Sequence, residues 1–288
     1  MHGKTVLITG GTNGIGLETA RALAKMGAHV VIVGRSPQKT EAVVADLRES
    51  TGSAAVDGLL ADLSLMREVN SLADTFLARY DRLDVLVNNA GAIFYSREVT
   101  DEGLELTFAL NHMSYYLLTR RLLPLILASA PSRIVNVSSG AHFSARGVDF
   151  DDLQKSRGYI GFTRYSESKL MNILFSNALA RRLEGTGVTV NALHPGMVAT
   201  GFGRNNSGIV AKAAGAVFSA FGKSPEDGAL TSIYAATAPE LAHTTGAYFD
   251  NERVTEASRA ARDVEAQEHL WAISAEIAGL PAEVAVRG

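Results

Sequence analysis

The chain has 288 residues, a formal net charge of −3 and no cysteine, with 47% of residues hydrophobic and 20% charged. The missing cysteines exclude a disulfide scaffold, a thiolate zinc site, an iron–sulfur cluster and a cysteine nucleophile. An isoelectric point of about 6.2 gives no electrostatic footprint for nucleic acid, and the apolar fraction suffices for a large core.

The opening MHGKTVLITGG has too short an apolar run for a secretory signal. No stretch reaches the ~18 uncharged apolar residues of a membrane span. The best candidate, 209–221, contains Lys212. The expectation is a soluble, cytoplasmic chain without a membrane span, acting on small molecules.

Short β-branched runs at 4–9, 29–33, 56–61, 83–88, 133–138, 188–194 and 247–249 read as strands. Between them, apolar spacing predicts helices at 15–26, 37–50, 64–80, 101–128, 165–184, 225–236 and 256–278. The runs VLIT, VVIV and LDVLVN lack alternation, as strands covered on both faces do. Strand–helix alternation with short turns predicts right-handed crossovers and a doubly wound, mostly parallel seven-stranded α/β sheet, helices on both faces. With no repeat, linker or composition break, residues 1–288 read as one domain ending in a helical segment at 251–288. Two stretches, 141–164 and 201–224, break the alternation. Both follow a strand, where long loops serve binding in such sheets. The second is expected to be a substrate-flanking flap that excludes water.

The first strand runs into Thr9-Gly10-Gly11-Thr12-Asn13-Gly14-Ile15-Gly16, ahead of a helix. Glycines let the backbone approach a pyrophosphate, and the helix N-terminus adds unpaired N–H groups and a favourable dipole. The spacing Gly10, Gly14, Gly16 differs from G-x-G-x-x-G, whose third glycine would fall at Thr19.

This turn is similar to the cofactor turn of the short-chain dehydrogenases/reductases. Further motifs agree in order: Asp62 in LLADLS, Asn88-Asn89-Ala90-Gly91, Ser138-Ser139 in RIVNVSS, Tyr165-Ser-Glu-Ser-Lys169, then Pro195-Gly196 with Thr200 beyond. The resemblance spans residues 4–200. Within the family, NHMSYYLLT, NVSSGAH and YSESKLMNILF resemble the retinol-dehydrogenase and WW-domain-oxidoreductase branch. The resemblance implies a single-domain Rossmann fold and a nicotinamide-dependent oxidoreductase interconverting an aldehyde or ketone with an alcohol.

Tyr165 and Lys169 stand one helical turn apart, so they project from one face. A phenol near pKa ~10 is a poor base at neutral pH, and a neighbouring ammonium is expected to lower that value. By resemblance, Tyr165 is the general acid/base, and Lys169 serves both it and the nicotinamide ribose. Ser139, rather than Ser138, stabilises the substrate oxygen. Asn111 helps hold a water near the lysine. The stretch 141–164 resembles an insertion shared with the retinol-dehydrogenase-like branch. His112 and His194 lack clustered carboxylates, so no metal is expected.

At the cofactor, the resemblance implies Thr12, Asn13 and Ile15 with the glycines, and Asp62 and Leu63 at the adenine. Asn88 supports the sheet, while Asn89, Ala90 and Gly91 line the cofactor. Pro195, Gly196, Val198 and Thr200 fix the carboxamide. The second strand ends in Arg35-Ser36, with Lys39 one turn later, where an NAD site typically carries Asp or Glu. Arg35, Ser36 and Lys39 can meet a 2′-phosphate, so NADP(H) is expected over NAD(H), against Asn13, where many NADP-preferring relatives are basic. The alternatives are an NAD-dependent member of the family, a nucleotide-sugar epimerase and a catalytically silent nucleotide-sensing regulator. The turn spacing argues against the epimerase, and the complete set Asn111, Ser139, Tyr165 and Lys169 against the regulator. The apolar 209–221 and the aromatic insertion suggest a bulky or hydrophobic carbonyl substrate. Family members commonly pair through the two long helices, so a homo-oligomer is expected.

Overall fold

A computed structural model describes residues 1–198 and 222–285. Thr200 and most of the expected 201–224 flap, including 209–221, therefore lie outside the described residues. The strands are β1 (Thr5–Thr9), β2 (His29–Gly34), β3 (Val56–Leu60), β4 (Val85–Asn88), β5 (Ser132–Val137), β6 (Val188–His194), β7 (Tyr248–Asp250) and β8 (Arg253–Thr255). The helices are α1 (Gly14–Lys25), α2 (Pro37–Thr51), α3 (Met66–Arg79), α4 (Leu106–Phe108), α5 (Ser114–Ala128), α6 (Gly161–Arg182), α7 (Pro225–Thr237) and α8 (Val264–Ala278).

All eight strands form one sheet in the order β3-β2-β1-β4-β5-β6-β7-β8, parallel throughout except for β7 with β8. Successive strand residues enter different cores, which is why the apolar runs are continuous. Leu7, Val31, Leu86 and Ile134 pack with α3, α5, α6 and Trp271. Val6, Ile8, Val30, Ile32 and Val87 pack with Leu23, Leu47 and Ala235 on the opposite face. The chain reverses direction across the sheet between β1 and β4, and such a point opens a crevice at the strand ends.

Three expectations need correction. The seven strands become eight: Asn251 and Glu252 take positive φ (48° and 60°), a tight turn that folds β8 back onto β7. The helix expected from 101 begins at Leu106, because the Glu105 carboxylate accepts from the Thr107 and Phe108 N–H groups. A wider π turn, Ala109–Met113, then joins α4 to α5. The helix expected from 256 begins at Val264, where Asp263 accepts from Ala266 N. Residues 251–285 are thus a strand, a short turn and a helix.

Helix α8 covers the outer flank of α6. Trp271 stacks against Phe175 at 6.0 Å and meets Tyr116 edge-on at 5.1 Å. Arg182 and Arg120 lie over its ring, and Arg120 also donates to the carbonyls of Pro281 and Glu283. The C-terminal segment thus packs against residues of both long helices, Tyr116 and Arg120 of α5 and Phe175 and Arg182 of α6. Among the described residues, no helix is long and apolar enough to cross a membrane.

Candidate active site

The β1–α1 turn is built around glycine. Gly10 and Gly14 take positive φ (65° and 52°). A Cβ at Gly16 would lie 2.4 Å from the Gly10 carbonyl and 2.5 Å from Asn89 Nδ2. Asn89 pins the turn by donating to the carbonyls of Thr9 and Gly10 at 2.9 and 3.3 Å. Thr9 Oγ1 accepts from Asn89 N and Ala90 N, tying β1 to the end of β4. Asn13 precedes α1 without a side-chain cap bond, so the first N–H groups of the helix keep their anion-binding capacity.

From this turn a cavity of about 1100 Å³ crosses the ends of the central strands. It gathers Gly10, Thr12, Asn13, Gly14, Ile15, Gly16, Arg35, Asp62, Leu63, Asn89, Ala90, Gly91, Ser139, Tyr165, Lys169, Pro195, Gly196 and Val198. Three predicted residues stand outside that lining. Ser36 accepts from Lys39 N at 3.4 Å to cap α2, which places both residues at the exposed edge. Asn111 is fully buried behind the wall.

Arg35 is 79% exposed at the end of β2, 3.5 Å from Asp62. Burial alone would raise the Asp62 carboxyl, but Ser64 and then Arg35 hold it below its usual range. Among the described residues, Asp62 is the one carboxylate within ion-pair distance of this guanidinium.

Around the expected reactive groups, Ser138 and Ser139 separate cleanly. Ser138 donates to the Lys169 carbonyl at 2.7 Å and is buried, while Ser139 reaches the Tyr165 hydroxyl. Lys169 Nζ donates to the Val137 carbonyl at 2.9 Å and lies 5.8 Å from the Tyr165 ring centre. A methyl at Gly91 would sit 3.2 Å from both Lys169 Nζ and Asn111 Oδ1, so glycine leaves that junction open. Asn111 accepts from Ala92 N, donates to the Ala92 carbonyl and donates to Ser168 Oγ, each at 2.9 Å. Both hydrogens of its Nδ2 and one lone pair of its Oδ1 are thereby used within the protein.

Burial dominates the proton affinities here. It pushes Tyr165 up to about 12 against the opposing Ser139 hydrogen bond, and it pushes Lys169 down to about 7. The expected lowering of the phenol by the lysine is therefore not achieved by the protein alone. A desolvated ammonium is itself disfavoured.

Pattern reading missed the frame that holds these groups. Arg164, directly before Tyr165, is buried and pairs with Glu105 at 2.7 Å and Glu167 at 2.9 Å. Its i,i+3 relation to Glu167 was a visible signal. His142 and His194 bond the backbone beside Ser139. His112 bonds Ser274 at 2.8 Å, and burial pushes it down to about 3. The lining also includes the apolar side chains of Ile93, Phe94, Leu106, Leu110, Phe162 and Met197, with Tyr95 and Glu98 beside them.

A family model described as short chain dehydrogenase matches residues 4–208. Retinol dehydrogenase 13 of Homo sapiens is 41% identical over 285 residues, 97% of this chain and 86% of that protein. An uncharacterized protein from Mycobacterium Paratuberculosis has a similar structure, with a TM-score of 0.78 and 29% identity over 98% of this chain and 96% of that one. The Pseudomonas aeruginosa RhlG/NADP active-site complex has a TM-score of 0.68 and 28% identity, covering 86% and 94%. The chain is thus an oxidoreductase belonging to the short-chain dehydrogenase family, in its retinol dehydrogenase-like branch.

Proposed function

We propose that the chain interconverts an apolar aldehyde or ketone with its alcohol using NADP(H), with Tyr165 moving the hydroxyl proton. The observation that carries this reading is the Tyr165 hydroxyl, hydrogen-bonded to Ser139 inside the cavity with Lys169 one turn behind it. The glycine cradle, the uncapped start of α1 and Arg35 at the rim fit a dinucleotide. Bound there, the nicotinamide supplies or accepts the hydride.

The chain's own groups divide the remaining work. At about 12, Tyr165 keeps its proton near neutrality and is set to donate to a developing alkoxide. Ser139 donates to the same oxygen and stabilises charge there. In the oxidative direction, protonated Lys169 favours the phenolate, and its value of about 7 lets it exchange that proton near physiological pH. Asn111 anchors the Ala92 backbone and Ser168, holding the wall beside Lys169.

Arg35 supports the preference for NADP(H), because it presents an exposed guanidinium where a 2′-phosphate would lie. The NADP complex named above is a structural relative. The apolar lining residues and the kinship with retinol dehydrogenases support a bulky or long hydrophobic substrate. Retinal, decanal and glyceraldehyde should each be offered with NADPH and with NADH, to wild type and Tyr165→Phe. The expected result is reduction of the apolar aldehydes with NADPH, lost in Tyr165→Phe while NADPH binding persists. Full activity of Tyr165→Phe, or preference for glyceraldehyde with NADH, would refute the reading.

A further inference from the structure

The peptide unit between Ser139 and Gly140 is gripped at both poles by imidazoles. Its carbonyl lies 2.7 Å from His142 Nδ1, and its N–H donates to His194 Nδ1 at 2.9 Å. His142 Nε2 accepts in turn from Ser258 N at 3.2 Å. A backbone N–H can only donate and a carbonyl can only accept, so these partners dictate the tautomers. His142 carries its proton on Nδ1 and His194 carries its proton on Nε2. Both rings are neutral, because a second proton on either would point at a backbone N–H.

We propose that His142 and His194 are positioning residues, forming a two-imidazole clamp on the Ser139–Gly140 peptide that aims Ser139 Oγ at Tyr165. Fixing this peptide plane fixes ψ of Ser139, which stands at 152° in extended backbone. The hydroxyl is then presented from the end of β5, where Ser139 Oγ also accepts from Ala141 N at 3.1 Å as the short helix Gly140–Ser144 begins. One ring comes from that helix and the other from the end of β6, so the clamp joins the ends of two neighbouring strands. His142 also ties Ser139 to Ser258, in the segment leading to α8.

The surroundings keep both rings neutral. His142 is fully buried, edge-on to Tyr248 of β7 at 4.9 Å and beside Phe143. Burial holds it below its ordinary value, with the Ser139 carbonyl opposing and His194 adding to the effect. Burial likewise lowers His194, with Asp250 opposing and Lys223 adding. Acid should therefore open the clamp, reducing turnover before the fold is lost.

This inference rests on the carbonyl-reductase reading for its kinetic arm, whereas its spectroscopic arm needs no turnover. Long-range proton–nitrogen spectra of histidine-labelled protein near neutral pH, assigned with His142→Asn and His194→Asn, read the tautomers directly. The expected result is Nδ1–H at His142 and Nε2–H at His194. A charged ring or the opposite tautomer at either position overturns the clamp. With retinal and NADPH, His142→Leu and His194→Leu should each lower kcat about tenfold or more, with NADPH affinity changed less than about threefold. His194→Asn, whose Oδ1 can accept from Gly140 N, should recover most of that loss and lose its part of the acid limb. Equal loss of kcat and NADPH affinity in step with thermal stability, with the wild-type pH profile retained, would reduce both residues to structural ones and overturn the proposal. If Tyr165→Phe reduces retinal as well as wild type, the reading of the site fails while the tautomer spectra still judge the clamp.

Discussion

Replacing Arg164 with methionine removes the only cation in contact with Glu105 among the described residues. Arg164 and Glu105 are 1% and 0% exposed, and Arg164 also donates to Glu167 and to the Leu153 carbonyl. Taking one member from a buried ion pair costs ~3–5 kcal/mol, because the partner stays buried and charged. Here Glu105 keeps the Thr107 and Phe108 N–H bonds, and Glu167 keeps Lys155 at 3.2 Å. Those contacts place the expected loss near the lower bound, about 3 kcal/mol, or roughly 6–12 °C in Tm for a chain of this size. Denaturant unfolding measures it. Adding Glu105→Gln and Glu167→Gln to Arg164→Met should recover a large part, since no unpaired charge then remains. Turnover should fall as well, because the network fixes the residue before Tyr165 and caps the helix leading to Asn111. A loss below ~1 kcal/mol for Arg164→Met would refute the reasoning, since that is the size expected of a surface pair.

Lys169→Ala should lower both turnover and NADPH affinity, and should remove the ionisation near 7 from the pH–rate profile; fluorescence titration and kcat against pH check the two parts. Arg35→Ala should reduce the preference for NADPH over NADH roughly tenfold, the lower end for a charge-assisted bond at so exposed a site, measured as the ratio of the two Kd values. Asp84→Asn should lower the urea midpoint near neutral pH. Burial alone would raise this carboxyl, but the bonds from Arg82, Lys4 and Thr5 N leave it below its ordinary value. Its stabilisation is therefore complete above the unfolded carboxylate range near ~3.9 and is lost as pH falls through the folded value, so the mutant and wild-type midpoints should converge in acid.

The central strands were legible because burial on two faces writes an unbroken apolar run, as in VLIT and VVIV. Strand β8 was not, since Arg253–Thr255 is exposed and its turn uses Glu252 at positive φ, a residue that does not announce one. The proposed reactive set was legible because Ser139, Tyr165 and Lys169 sit in local motifs, and the three line one cavity. What holds them was not. Glu105 meets Arg164 across 59 positions, and Gly140 meets His194 across 54, so neither contact has a local period to betray it. The phenol's proton affinity failed for a different reason: spacing shows a lysine nearby but not how much water the fold removes from both groups.

The seat of Trp271 makes the order of synthesis matter. Helix α6 turns Tyr165 and Lys169 toward the cavity and Phe175 toward α8, so its two flanks are finished at different times. By the end of β8 a growing chain has every strand of the sheet and the whole glycine cradle. The aromatic flank formed by Tyr116 and Phe175 stays wet until residues 264–283 have left the ribosome. A nascent chain halted there could cradle a dinucleotide while its reactive helix still lacked its backing, an adhesive intermediate of the kind that chaperones recognise. Helix α8 thus closes the body of the enzyme only after its sheet and its cradle exist.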